Sequence, residues 1–181
     1  MLGAPEKQQR NDLTVTQFLN KIALPLLLIL CVGQSALAQS SFDHGQWQQL
    51  LERHVILIDD GVASQVDYAG MAEDREPLDN YLQSLAAVSQ GEFTAWSEPE
   101  QLAFLINAYN AWTVELILTE YPNLESIRDL GSLFRSPWSR RFVPLFGEQV
   151  SLDYIEHELI RGPNGYGEPR IHFVVNCASI G

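Results

Sequence analysis

The sequence predicts an α+β domain in which several helices surround a buried central helix and a small antiparallel sheet completes the core. Three observations carry this. Apolar residues recur at helical spacing through the middle of the chain, the stretch 102–118 is apolar most of the way round, and hairpin patterning begins only after Trp138. Helices first and strands later favour an α+β arrangement over an alternating parallel sheet.

The first 38 residues read as an export signal. Lys21 closes a polar leader, residues 22–32 form an apolar core, and Ala36-Leu37-Ala38 is the small-x-small pattern before a cleavage point. The rival reading is a membrane anchor. A span needs about 20 apolar residues, and Gly33, Gln34 and Ser35 interrupt this run. The mature chain is therefore expected to start at Gln39 and to be periplasmic or secreted, meeting the membrane only transiently through its signal.

Residues 39–65 are expected to be a helical lead-in. Trp47, Leu50, Leu51, His54, Val55 and Ile58 recur at helical spacing, and Asp59-Asp60-Gly61 provides a turn. A second helix follows Pro77, with Leu78, Tyr81, Leu82 and Leu85 on one face, and ends before Gly91. Ser97 and Glu100 form a capping box with Pro99 in the first turn, opening the long central helix that stops at Tyr121-Pro122.

Phe142, Val143, Leu145 and Phe146, then Gly147-Glu148, then Gln149-Val150 suit a hairpin, with Pro144 confining its strand to an edge. Ser151 caps a short helix over 152–161, stopped by Gly162-Pro163-Asn164-Gly165. Residues 170–176 read as a last strand, placing Ile171, Phe173 and Val175 on one side.

Charge limits the partners. The whole chain has 11 Lys+Arg against 23 Asp+Glu, and residues 39–181 keep 8 basic and 21 acidic residues with no lysine. Such a field repels a phosphate backbone, so nucleic acid is not an expected partner. Arg135, Arg140 and Arg141, interleaved with Phe134, Trp138 and Phe142, form the one basic stretch, either a solvated hairpin edge or a receiver of an anionic group.

Once Cys31 leaves with the signal, Cys177 is the remaining thiol. It is a buried inert thiol, a partner for a cysteine outside this chain, or a reactive nucleophile. Asn107 and Asn110 lie three apart on one face of the central helix with Tyr109 beside them, either tying the helix to a neighbour or serving a catalytic histidine or oxyanion. On the short helix, about 100° per residue places Glu156 within the apolar stripe and His157 at its rim. Glu156 must then find a cation, with Arg128, Arg161 and Arg170 available, or stand behind His157 as a base. Regular strand parity turns His172 away from Cys177 and so favours His157 as its partner, and a bulge near Asn176 would reverse this. Glu156, His157, His172 and Cys177 have no recognised metal spacing, so neither a metal nor another cofactor is expected.

Three motifs in order add to this reading: residues 103–111 (AFLINAYNA), residues 151–158 (SLDYIEHE), and Pro169-Arg170-Ile171-His172-Phe173 leading to Asn176-Cys177-Ala178-Ser179. Together they resemble the family catalogued as domain of unknown function 547 (DUF547), over residues 66–181. The resemblance implies an exported protein, a domain that continues beyond Gly181 with a Cys-Pro-Pro segment, and hence an incomplete C-terminus here. It also implies a likeness to papain-like cysteine peptidases. That likeness matches a Cys177 nucleophile with His157 as base, Glu156 and Asn107 as orienters, and Tyr109, Asn110, Arg170 and His172 as binding residues. The implied activity is a thiol-dependent hydrolase or acyltransferase acting on envelope polypeptide or a small amide. A non-catalytic envelope binding or scaffold module is the alternative, because fold does not fix chemistry.

Overall fold

The computed structural model describes residues 42–124, 126–131, 136–163 and 165–176, all within one compact unit, residues 39–181. The architecture is α+β: helices packed around a long central one, with small antiparallel pairings.

Helix α1, Gly45–His54, buries Trp47 and Leu50. The chain then becomes a strand where a continuing helix was expected. Strand β1, Val55–Ile58, pairs antiparallel with β2, Ala63–Val66, from Val55 opposite Val66 to Ile58 opposite Ala63. The lead-in is therefore helix plus hairpin. Val55, Ile56 and Ile58 are β-branched and stiff at χ1, which suits a strand. Asp59, Asp60 and Gly61 take positive φ of 52°, 57° and 85°, reversing the chain.

Asp67 caps helix α2, Tyr68–Glu73, accepting from the backbone N–H of Ala69 and Gly70. Gly70 is needed there because a Cβ would run into the His54 ring. His54 Nε2 in turn lies 2.6 Å from Asp74 Oδ2, which also pairs with Arg53 at 2.7 Å.

Helix α3, Arg75–Ala87, buries Leu78, Tyr81, Leu82 and Leu85 as their spacing predicts, with Pro77 in the first turn where its missing N–H costs nothing. A short helix α4, Gln90–Ala95, follows, capped by Ser89. Helix α5, Glu98–Leu118, is the expected central helix, with Ser97 N–H donating to Glu100 Oε2 at 2.9 Å. Phe104, fully buried, packs with Phe42, Trp96 and Phe93 at ring separations of 5.1, 5.2 and 5.8 Å. Such aromatic clusters supply much of the burial energy of a domain this size.

The expected hairpin comprises β3, Val143–Leu145, and β4, Glu148–Val150, with Pro144 opposite Gln149. Its turn sits one residue earlier than expected, at Phe146-Gly147, both with positive φ (54° and 83°), as a two-residue primed turn requires. Arg141 Nε donates to the Gln149 carbonyl at 2.8 Å and Arg140 is exposed, while Phe134 and Arg135 lie outside the described residues.

Ser151 caps α6, Leu152–Tyr154, which widens into a π-helical turn over Ile155–Ile160, closed by Arg161 N–H to the Glu156 carbonyl. The largest correction concerns residues 170–176. Instead of a strand, Pro169–Phe173 forms a 3-10 helix. Pro169 starts it, and Glu168 accepts from Arg170 N–H at 2.9 Å. Ile171 and Val175, four apart, are buried, whereas Phe173 is 88% exposed. The spacing of burial is helical, so strand alternation does not set the direction of His172.

Candidate functional site

Helix α5 presents Asn107 and Asn110 to a cavity of about 170 Å³. Its apolar wall comes from Trp47 and Leu51 of α1, Val55 of β1, Val66 of β2 and Val114 of α5. Ser64, Gln65, Tyr68, Thr113 and Asn176 complete it together with the two amides, so every side chain lining it is uncharged at neutral pH. Burial pushes the Tyr68 hydroxyl up to about 12, which keeps it a hydrogen-bond donor.

Asn110, half-buried, uses both ends of its amide. Its Nδ2 donates to the Val174 carbonyl at 2.8 Å, and its Oδ1 accepts from Asn176 N–H at 2.9 Å. The side chain thereby fixes the backbone on both sides of Val175, and Asn176 reaches the cavity wall just before Cys177. Cys177 itself lies outside the described residues. Tyr109, 1% exposed, is in the core, its carbonyl accepting from Thr113 Oγ1 at 2.8 Å, and it does not border the cavity.

A second cluster forms around Arg161. Glu156 is 8% exposed, inside the apolar stripe as its helical angle predicts, and Arg161 Nη2 pairs with its Oε1 at 2.9 Å. The same Nη2 lies 2.9 Å from His172 Nδ1. Guanidinium is a donor only, so His172 Nδ1 accepts and the imidazole proton sits on Nε2. Arg161 thus joins two predicted site residues far from each other in sequence role: Glu156 on the π-turn and His172 on the 3-10 turn. His157 is exposed, with no side-chain hydrogen bond among the described residues. Arg170 faces solvent in a close pair with Glu168, whose carboxyl is held at about 2 by the Arg170 hydrogen bonds.

The asparagines and the Glu156–His172 cluster are separate groupings: none of Glu156, His157, Arg170 or His172 lines the cavity. Sequence reasoning missed Trp47, Gln65 and Tyr68 as site residues. Trp47 carried a helical-core signal and Gln65 and Tyr68 none, since the hairpin and α2 that bring them in were not foreseen. Among the described residues no group of three or more His, Cys, Asp or Glu is placed to hold a metal ion, and no helix is long and apolar enough to cross a membrane.

Residues 93–181 match the family model described as protein of unknown function, DUF547. The DUF547 match begins at Phe93, within α4, later than the motif comparison had it. It includes Asn107, Asn110, Glu156, His157, His172 and Cys177, whereas Trp47, Leu51, Gln65 and Tyr68 precede it. The cavity is thus built jointly by the DUF547 segment and the residues before it. No curated protein and no solved structure matches the chain.

Proposed function

We propose that this protein is a thiol-dependent hydrolase or acyltransferase of the periplasm or extracellular space, acting on envelope polypeptide or a small amide, with Cys177 as nucleophile. The observation that carries the reading is the Asn110 clamp. It fixes the backbone at Val174 and at Asn176, the latter lining a neutral cavity one residue before the thiol in sequence. A nucleophile gains most when the chain that bears it is held in place.

In this reaction Cys177 passes its proton to a histidine, the thiolate adds to an acyl carbonyl, and the amine leaves with that proton. Water or a second amine then resolves the thioester. His157 is the base. The support is chemical: His172 Nδ1 is engaged by Arg161 and its Nε2 carries the proton, which makes His172 a donor to substrate, whereas His157 has both ring nitrogens available. Glu156 acts through Arg161, holding the cation that orients His172.

The test is alkylation of Cys177 in the full chain as a function of pH. The expected result is a thiol titrating below the usual value of about 8.5, with His157→Ala slowing alkylation near neutral pH far more than His172→Ala. An unshifted thiol, or equal effects from the two variants, favours instead a non-catalytic envelope binding module. Mass spectrometry of the exported product is expected to find Gln39 at the N-terminus, and retention of residues 1–38 would remove the export part of the reading.

A further inference from the structure

We propose that the cavity between α1, β2 and α5 is a binding site for an uncharged, carbonyl-bearing amphiphile, the acyl portion of an amide or ester with a short branched or straight aliphatic chain. If the thiol chemistry proposed above holds, this is where the acyl group of its substrate sits, but the binding site stands on its own observations.

The first observation is a fixed aromatic wall. Trp47 is 3% exposed and stacks on Tyr81 at 5.7 Å with an interplanar angle of 6°, so its ring is held in one orientation. Its indole N–H is fully buried and out of a ligand's reach, so Trp47 contributes apolar surface to the wall.

The second is the lining. Leu51, Val55, Val66 and Val114 give an aliphatic wall, while the Tyr68 hydroxyl and the Asn107 amide add polar groups that no described residue engages. Donors of this kind beside an aliphatic wall fit a ligand with an acceptor at one end and a hydrocarbon at the other.

The third is the absence of charge from the lining. A carboxylate or ammonium entering such a site loses its hydration with no counter-ion to replace it, which disfavours charged ligands strongly. Size limits the ligand further. Cavities of about 150 Å³ accommodate a benzene-sized molecule, so about 170 Å³ takes roughly six to nine non-hydrogen atoms.

The experiment uses the full chain carrying Cys177→Ser, so that binding does not depend on thiol chemistry. Isovaleramide and its charged isostere isovalerate are titrated while the indole N–H resonances are followed by nitrogen-15 NMR. Isovaleramide is expected to move the Trp47 resonance saturably, and isovalerate to bind at least about tenfold more weakly. Tyr68→Phe, which removes the hydroxyl donor from the lining, is expected to weaken isovaleramide by about tenfold, the equivalent of one hydrogen bond. Val114→Phe, filling the cavity, is expected to abolish binding, with the remaining indole resonances reporting that the fold is kept. Equal binding of amide and carboxylate, no saturable shift, or indifference to both substitutions overturns the assignment. The outcome is separable from the thiol reading. Amide binding without an activated Cys177 leaves a binding site and no hydrolase, whereas an activated Cys177 without amide binding removes this site alone.

Discussion

Asn110 grips the backbone around Val175 from both sides, donating to the Val174 carbonyl at 2.8 Å and accepting from Asn176 N–H at 2.9 Å across more than sixty residues of sequence. An amide is the side chain suited to this, because it offers a donor and an acceptor at once. Asn110→Asp keeps the shape but replaces the donor with a second acceptor facing a carbonyl. It is expected to destabilise the fold by about 1–3 kcal/mol in urea titration. It should also alter the alkylation rate of Cys177 more than the stability change alone predicts. Wild-type behaviour in both assays would show that the clamp is dispensable.

The Glu156–Arg161 pair makes a second expectation. Removing one partner of a largely buried ion pair leaves the other charge uncompensated, whereas removing both does not. Glu156→Leu and Arg161→Met are each expected to lower the denaturation midpoint, and the double variant to recover part of the loss. A double-mutant cycle reads the coupling directly. Strictly additive losses would mean that the 2.9 Å contact contributes no coupling.

A pH dependence follows from His44. Its Nδ1 lies 2.7 Å from the Tyr81 hydroxyl, and burial lowers its pKa below 6.5, only partly opposed by Asp43. The folded state therefore binds a proton less readily than the unfolded chain. Stability is unaffected by this group well above 6.5 and falls as pH drops below 6.5 toward the folded pKa. Thermal melts between neutral and mildly acidic pH are expected to show this fall in the wild type and a smaller one in His44→Gln. Parallel profiles would assign the acid sensitivity to other groups.

Where the chain could be read locally, the elements lie close to where the sequence places them. Helix α5 begins at a Ser97–Glu100 capping box with Pro99 in its first turn, α3 follows the Leu78, Tyr81, Leu82 and Leu85 spacing, and Glu156 is buried where its helical angle puts it. Each signal lies within about two turns of helix, which is the range over which backbone geometry and side-chain spacing are fixed by neighbours. Segments with two compatible periods were settled differently. Val55 and Ile58 fit a helix by spacing and a strand by β-branching, and pairing with residues 63–66 decided for the strand. Residues 170–176 alternate like a strand, yet Pro169, the Glu168 cap and the burial of Ile171 with Val175 make a 3-10 turn.

Residue pattern is enough for the helical scaffold, the hairpin after Trp138 and the acidic character. Which side chains meet is a matter of packing. Asn110 was legible as an amide in need of partners, but not that they are Val174 and Asn176. Glu156 was legible as a carboxylate in need of a cation, but not that Arg161 would hold His172 as well. The cavity carries no motif at all. Trp47, Gln65 and Asn107 become neighbours only when α1, β2 and α5 pack together. Local rules act over a few residues, whereas contacts across such separations are set by which apolar faces bury against one another, and no short stretch of sequence encodes that choice.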